Sequence, residues 1–235
     1  MSNYDVVCFA AHPDDMEFSI AGTIAKLVGE GKRVLQVVFT KAENSTHGTV
    51  EERMRELDAA SQALGVDYRV LDFHDGLLFS DAETQAAAAR VLKETRPAVV
   101  FAPYHTNDAG HWDWQAHHDH LECGKIVKEA LKFARFVNFF DDLKVSHLVR
   151  RCYYYMIPTD RRPTFVVDVT DAREKKLEAI KKYETQMRIN RIGVSMLELI
   201  ETREKFFGMA IGAKYGEGFI VDETFRAEPN HLFEL

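Results

Sequence analysis

Short apolar runs recurring between amphipathic segments constrain this chain more than any other feature. "VVCFAA" (6–11), "RVLQVVFT" (33–40), "YRVLDF" (68–73) and "AVVFAP" (98–103) have strand length and are rich in β-branched and aromatic residues. Between them the spacing predicts helices from Ser19 to Glu30, ended by Gly31, then over 50–65, closed by Gly65, and over about 81–95. Runs that are apolar on both faces belong to strands covered by helices on each side, as βαβ units make them. A further helix is predicted from about His117 to Val137, β segments at 150–157 and 164–170, and a mostly helical tail from Asp171 that closes on "GFIV" at 218–221. The expectation is an α/β fold: a Rossmann-like three-layer sandwich with a mainly parallel sheet and a helical C-terminal part, one domain over 1–235.

Strand direction then gives meaning to the residues that follow each run. In an open parallel sheet, ligands bind at the C-terminal ends of the strands. The first strand delivers "HPDDME" to that edge, so His12, Asp14, Asp15 and Glu17 gather at one mouth of the sheet. A nucleotide-binding or flavodoxin-like module would need glycines at this turn so that the backbone could approach a phosphate. Three carboxylates repel a phosphate instead. Net charge points the same way: at -7, with no long basic cluster, the chain is not built for nucleic acid. No apolar run approaches the roughly 20 residues that span a bilayer, and "MSNYD" leads into the first strand without a signal-peptide pattern, so the expected location is cytoplasmic. Cys8, Cys123 and Cys152 are odd in number and never form a CxxC pair, which argues for reduced packing residues.

A second dense cluster leaves the same sheet edge after the fourth strand, in "PYHTNDAGHWDWQAHHDHLE" (103–122). It supplies His117, His118, Asp119 and His120. Imidazoles and carboxylates without thiolates suit zinc, whose catalytic sites keep three protein ligands and one open position. Two His and one carboxylate also describe a non-haem Fe2+ site, so ligand type alone leaves the metal open. Structural readings stand beside these. Asp14 has the side chain of a helix N-cap, Asp119 and His118 fall near a helix start, and Arg53 and Glu56, three apart, are spaced for a helix-surface pair. His111 and Asp113 form a His-x-Asp with no following His. His47, His74, His105, His147 and His231 read as structural or surface residues.

The pair of segments Ala11-His12-Pro13-Asp14-Asp15-Met16-Glu17 and His117-His118-Asp119-His120 resembles the AHPDDxE and HxDH signatures of the LmbE and PIG-L type zinc-dependent de-N-acetylases. "GTIAKLVGEGKRVLQVVFTKAE", "LDFHDGLL" and "KKLEAIKKYETQ" extend the likeness, with Thr185 where Ser is usual. "YYYMI", "REKFFG" and "YGEGF" look most like the bacillithiol-pathway branch, which removes acetyl from N-acetylglucosaminyl malate.

The resemblance implies a hydrolase that releases acetate from an N-acetylglucosamine conjugate, with other N-acyl sugars or a thiol conjugate as alternative substrates. It implies zinc held by His12, Asp15 and His120, and Asp14 as general base. His117 would be the donor, oriented by Asp119. Arg53 would grip a carboxylate of the aglycone, with Glu17 in a supporting role on the substrate side. It further implies a homo-oligomer, with a hexamer as the suggested form. Trp112 and Trp114, in the loop before His117, could form a sugar-facing lid, since indole faces stack on sugar rings.

Overall fold

The computed structural model describes residues 4–107, 117–140, 142–191 and 193–224. Five strands form one wholly parallel sheet: β1 (Val6–Ala10), β2 (Val34–Thr40), β3 (Asp67–Phe73), β4 (Val99–Pro103) and β5 (Arg151–Tyr155). Their spatial order is β3-β2-β1-β4-β5, so the order reverses at β1 and the crevice between β1 and β4 is the switch point. Four helices connect or flank these strands: α1 (Asp15–Gly29), α2 (Val50–Leu64), α3 (Ala82–Thr95) and α4 (His118–Phe133).

Side-chain alternation along β1 assigns the layers. Val7 and Phe9 pack with Ala88, Val91 and Leu92 of α3 and with Cys123, Ile126 and Val127 of α4. Val6 and Cys8 face the opposite layer, against Met16, Ile20 and Ile24 of α1 and Ala60 and Leu64 of α2. Both faces are covered, which is why β1 and β2 are apolar almost throughout. The expected three-layer architecture is therefore the observed one. Cys8, Cys123 and Cys152 are buried and unpaired, as packing residues are. Among the described residues, no helix is long and apolar enough to cross a membrane.

Three boundaries differ from the sequence expectation. Helix α1 begins at Asp15, four residues before Ser19, because Asp14 turns the chain in a left-handed conformation (φ 99°, ψ -26°) straight after the strand. Helix α4 stops at Phe133 rather than Val137. In the C-terminal part the β segments expected at 164–170 and 218–221 are present, and a small hairpin inside the expected helical tail is the addition. Strand β6 (Phe165–Asp168) pairs antiparallel with β9 (Gly216–Phe219), and a small hairpin of β7 (Asn190–Arg191) and β8 (Val194–Ser195) turns at Gly193 (φ +79°). Helices α5 (Arg173–Ile180) and α6 (Met196–Ala210) complete it.

A buried ion cluster ties this C-terminal part to α1. Lys176, 1% exposed, lies 2.7 Å from Glu217 and 3.0 Å from Glu204, and Glu217 also accepts the Gly22 and Thr23 N–H groups. The two carboxylates hold the Lys176 ammonium above its ordinary pKa although burial pulls the other way. Removing one partner of such a cluster strands the rest in a medium of low polarity. Lys176→Met is therefore expected to lower unfolding stability by about 3 kcal/mol in urea denaturation. A loss below about 1 kcal/mol would place the cluster among weak surface pairs.

Candidate active site

Three chain segments meet at the switch point. Strand β1 is followed by Ala11-His12-Pro13-Asp14, the first turn of α1 adds Asp15, and α4 begins at the same edge with His117 as its N-cap residue. Helix α4 can approach β4 this closely because Gly124 has no side chain: a Cβ there would lie 2.4 Å from the Pro103 carbonyl oxygen.

His12 Nδ1 and His120 Nε2 are 3.3 Å apart, His120 Nε2 is 3.0 Å from Asp15 Oδ1, and His12 Nδ1 is 3.6 Å from Asp15 Oδ2. Zinc bonds of about 2.0–2.2 Å at tetrahedral angles put neighbouring ligand atoms about 3.3–3.6 Å apart; the two imidazole nitrogens stand at that spacing and the Asp15 carboxylate borders both, a donor set of the type zinc takes. The His12 backbone N–H donates to Asp15 Oδ2 at 2.8 Å and keeps that carboxylate aimed at the end of β1. Two other triads lie within metal reach, His12–His117–His120 and His12–Asp75–Asp119, with donor atoms within 4.8 Å of one another. The nitrogens of His12 separate the possibilities. Nδ1 faces Asp15 and His120, while Nε2 lies 3.0 Å from Asp75 and 3.2 Å from Asp119. Carboxylates on one ring nitrogen fix the proton there and leave the other lone pair for a metal.

Electrostatics favour a cation at this point. Burial disfavours the His12 imidazolium, yet contacts with Asp119, Asp15 and Asp75 outweigh it and raise its pKa well above the ordinary value. Asp15 shifts the other way: burial raises it, but His120 and His12 hold it well below the usual carboxylate range.

Asp14 occupies the N-cap position of α1 without making a side-chain cap bond. Its carboxylate instead accepts from Arg53 Nη2 at 3.0 Å. Burial pushes its pKa up to about 6, with the Arg53 charge pulling it back down. A left-handed backbone in a residue other than glycine costs of order 1 kcal/mol or more and persists only where its surroundings hold it.

His117 lies at the rim, its ring centroid 5.0 Å from that of His12. Its Nδ1 accepts the Asp119 backbone N–H at 3.3 Å, which puts the proton of the neutral ring on Nε2. Burial and the neighbouring His120 and His12 keep its pKa below the ordinary value, favouring that neutral form.

Three sequence expectations need correction. The Asp119 carboxylate does not orient His117; only its backbone N–H reaches that ring. Its side chain is fully buried beneath β1, where it accepts the Gly76 N–H at 2.7 Å and the Leu78 N–H at 3.3 Å and contacts His12. Two residues along α4 turn the side chain by about 200°, from the rim into the core. Glu17 does not face substrate: it is 0% exposed, accepts from Gln36 Nε2 at 3.2 Å, and burial pushes its pKa up to about 7. Arg53 is 1% exposed, and its guanidinium is committed to the Pro13 carbonyl and Asp14 rather than to an aglycone. His111, Trp112, Asp113 and Trp114 lie outside the described residues.

Asp75 is the site residue that sequence reasoning missed. Its signals are an Asp-Gly pair just beyond the C-terminal end of β3, at the same sheet edge as the two clusters, and its place within "LDFHDGLL". Besides His12, its carboxylate accepts the Asn44 N–H at 3.0 Å. With His12, Asp14 and His117 it lines a cleft of about 380 Å³, whose far wall includes His47 and Gln186. His47, read from the sequence as a structural or surface residue, thus borders the cleft.

Comparison with known proteins places the fold and both clusters in a family. The chain is 28% identical over 226 residues to the diacetylchitobiose deacetylase of Thermococcus kodakarensis, covering 91% of this chain and 81% of that protein. The solved N,N'-diacetylchitobiose deacetylase of Pyrococcus horikoshii, in complex with an inhibitor, superposes with TM-score 0.78 at 26% identity, over 97% of this chain and 85% of that one. A conserved protein of Thermus thermophilus superposes with TM-score 0.81 at 27% identity, over 96% and 98% of the two chains. The family model described as PIG-L, GlcNAc-PI de-N-acetylase, matches residues 7–131, more than half of the chain and a span that contains both clusters. The protein belongs to the PIG-L family of de-N-acetylases.

Proposed function

We propose that the protein is a zinc-dependent hydrolase that removes acetyl groups from N-acetylglucosamine-type sugars. The observation that carries this reading is the convergence of His12 Nδ1, His120 Nε2 and the Asp15 carboxylate within 3.0–3.6 Å, with Asp14 alongside. A zinc ion bound by these three residues supplies Lewis acidity toward an amide carbonyl and toward water.

The chain's own groups do the rest. Asp14 collects the proton that water loses as it attacks the acetyl carbon. His117 donates a hydrogen bond from Nε2 toward the carbonyl oxygen as it gains charge, and Asp14 passes the proton it took from water to the departing nitrogen. Asp75 and Asp119 hold the His12 ring in register through Nε2. Water adds across the C–N bond, and acetate and a free amine leave.

The acidic cleft favours a neutral glycoside. Among the described residues, Arg53 is the one Lys or Arg that lines it, and its Nη2 is taken by the Pro13 carbonyl and Asp14. The segment 108–116 contains no Lys or Arg. Among the described residues, the cleft lining therefore offers no further Lys or Arg to the carboxylates of the N-acetylglucosaminyl malate suggested by the sequence, whereas a neutral sugar such as diacetylchitobiose needs none. The test is acetate and amine release from diacetylchitobiose, N-acetylglucosamine and N-acetylglucosaminyl malate by the zinc-loaded protein. The expected result is turnover of the neutral sugars with kcat/KM at least about tenfold above the malate conjugate, a difference of about 1.4 kcal/mol. No acetate from any of the three would end the deacetylase reading, and a preference for malate would restore an anion subsite.

A further inference from the structure

Asp14 sits in a left-handed backbone conformation with its carboxylate at the mouth of the cleft, and something must hold both. Arg53 Nη2 does so from α2, donating to the Pro13 carbonyl oxygen and, at 3.0 Å, to Asp14 Oδ2. Arg53 is itself held from behind. Glu56 Oε2 lies 3.7 Å from Nη1, and the Tyr183 ring lies beneath the guanidinium at 5.6 Å.

Glu56, 5% exposed, is fixed in turn by Thr185, which donates to it from both its backbone N–H and its hydroxyl at 2.7 Å. Gln186 Nε2 continues the chain of contacts, donating to Thr185 Oγ1 and to the His47 carbonyl oxygen, each at 2.9 Å. Gly48, beside His47, packs so closely on Thr185 that a Cβ would lie 2.8 Å from the Thr185 side chain. The series runs from Thr185 through Glu56 and Arg53 to the turn that carries Asp14, with Gln186 tying Thr185 to the loop at His47, and its far end lies outside the span that the family model matches.

We propose that Arg53, Glu56 and Thr185 form a latch that holds Asp14 in its working orientation, so that the C-terminal part of the chain sets the turnover of the site. All three are positioning residues: Arg53 aligns Asp14, Glu56 aligns Arg53 through charge, and the Thr185 hydroxyl fixes Glu56. The proposal rests on the reading of Asp14 as proton acceptor. Misplacing a reacting group by about 1 Å can cost up to about a hundredfold in rate.

The test compares Glu56→Gln, Thr185→Val and Thr185→Ser in zinc-loaded protein, by kcat, KM, metal content and melting temperature. For a latch, kcat falls about tenfold or more in Glu56→Gln and about threefold to tenfold in Thr185→Val, while KM stays within about twofold and metal content holds. Thr185→Ser keeps the hydroxyl and should retain the parent kcat. A stable Glu56→Gln protein with parent kcat overturns the latch. So does a loss confined to KM, which would put Arg53 on the substrate, and so does a Thr185→Ser protein as impaired as Thr185→Val, which would make the methyl the essential group. Should Glu56→Gln fail to fold, the two Thr185 variants decide. A crystal structure of zinc-loaded Thr185→Val adds a readout independent of activity. Arg53 displaced from Asp14 supports the latch, and an unmoved pair overturns it. If the parent releases no acetate, the deacetylase reading falls while this structural comparison still decides the latch.

Discussion

Asp14→Asn is expected to lower turnover by about two to four orders of magnitude, the range over which positioned acid-base groups act. The substitution keeps shape and a hydrogen-bonding oxygen toward Arg53 but removes the basic oxygen that would take a proton from water. Asp14 makes no cap bond to α1, so the helix start loses nothing by the change. The Asp14–Arg53 contact weakens in charge and the pair is buried, so some stability is lost as well. Turnover measured in folded, metal-loaded protein separates the two effects. Steady-state kinetics with parallel metal analysis is the measurement. Full metal with turnover within about tenfold of the parent would return Asp14 to a purely structural role at the head of α1.

Asp15→Ala is expected to empty the metal centre and abolish acetate release. The carboxylate approaches both His12 and His120 and supplies the only anionic ligand of the proposed triad. Without it two imidazoles remain, one short of the three protein ligands that catalytic zinc sites use. His117→Ala should behave differently, retaining the ion while lowering turnover, because the ring stands at the rim as a donor. Asp119→Asn falls between: it loosens the orientation of His12, and changes of that kind typically weaken metal affinity about 10–100-fold. Elemental analysis after dialysis against a weak chelator ranks the three variants. Full metal in Asp15→Ala together with loss in His117→Ala would move the centre to His12, His117 and His120, the competing triad whose donor atoms lie within 4.8 Å of one another.

Much of this was legible in the residues themselves. Runs apolar on both faces, each followed by a helical pattern closed by glycine or a turn, leave little choice but a parallel sheet between helical layers. In such a sheet all strands point the same way. Residues 12–17 and 117–120, both beyond the C-terminal end of a strand, therefore share an edge however far apart they lie in the chain. The meeting of the two clusters follows from that direction; singling out His12, Asp15 and His120 within them came from the likeness to the paired family signatures.

What the sequence could not determine was which partner each charged side chain would take. On a helix each step turns the side chain by about 100°, so the order His117, Asp119, His120 leaves open which of them faces the rim and which the core. The packed structure sends Asp119 beneath β1 to His12 and leaves His117 exposed to the cleft. Glu17 reads like a member of the acidic cluster, yet two residues beyond Asp15 it points under the sheet to Gln36. Asp75 reaches His12 from 63 positions away, and Glu56 meets Thr185 across 129. Contacts of that range leave no local periodicity. Arg53, spaced like a surface partner of Glu56, is buried because α2 packs down onto the turn that carries Asp14, and only there does its guanidinium find the Pro13 carbonyl. Local pattern determined the layers and the edge at which chemistry gathers, because strand and helix periods are properties of consecutive residues. The pairing of charges was decided by tertiary packing, because a buried ion must take whatever partner the fold brings within hydrogen-bond reach.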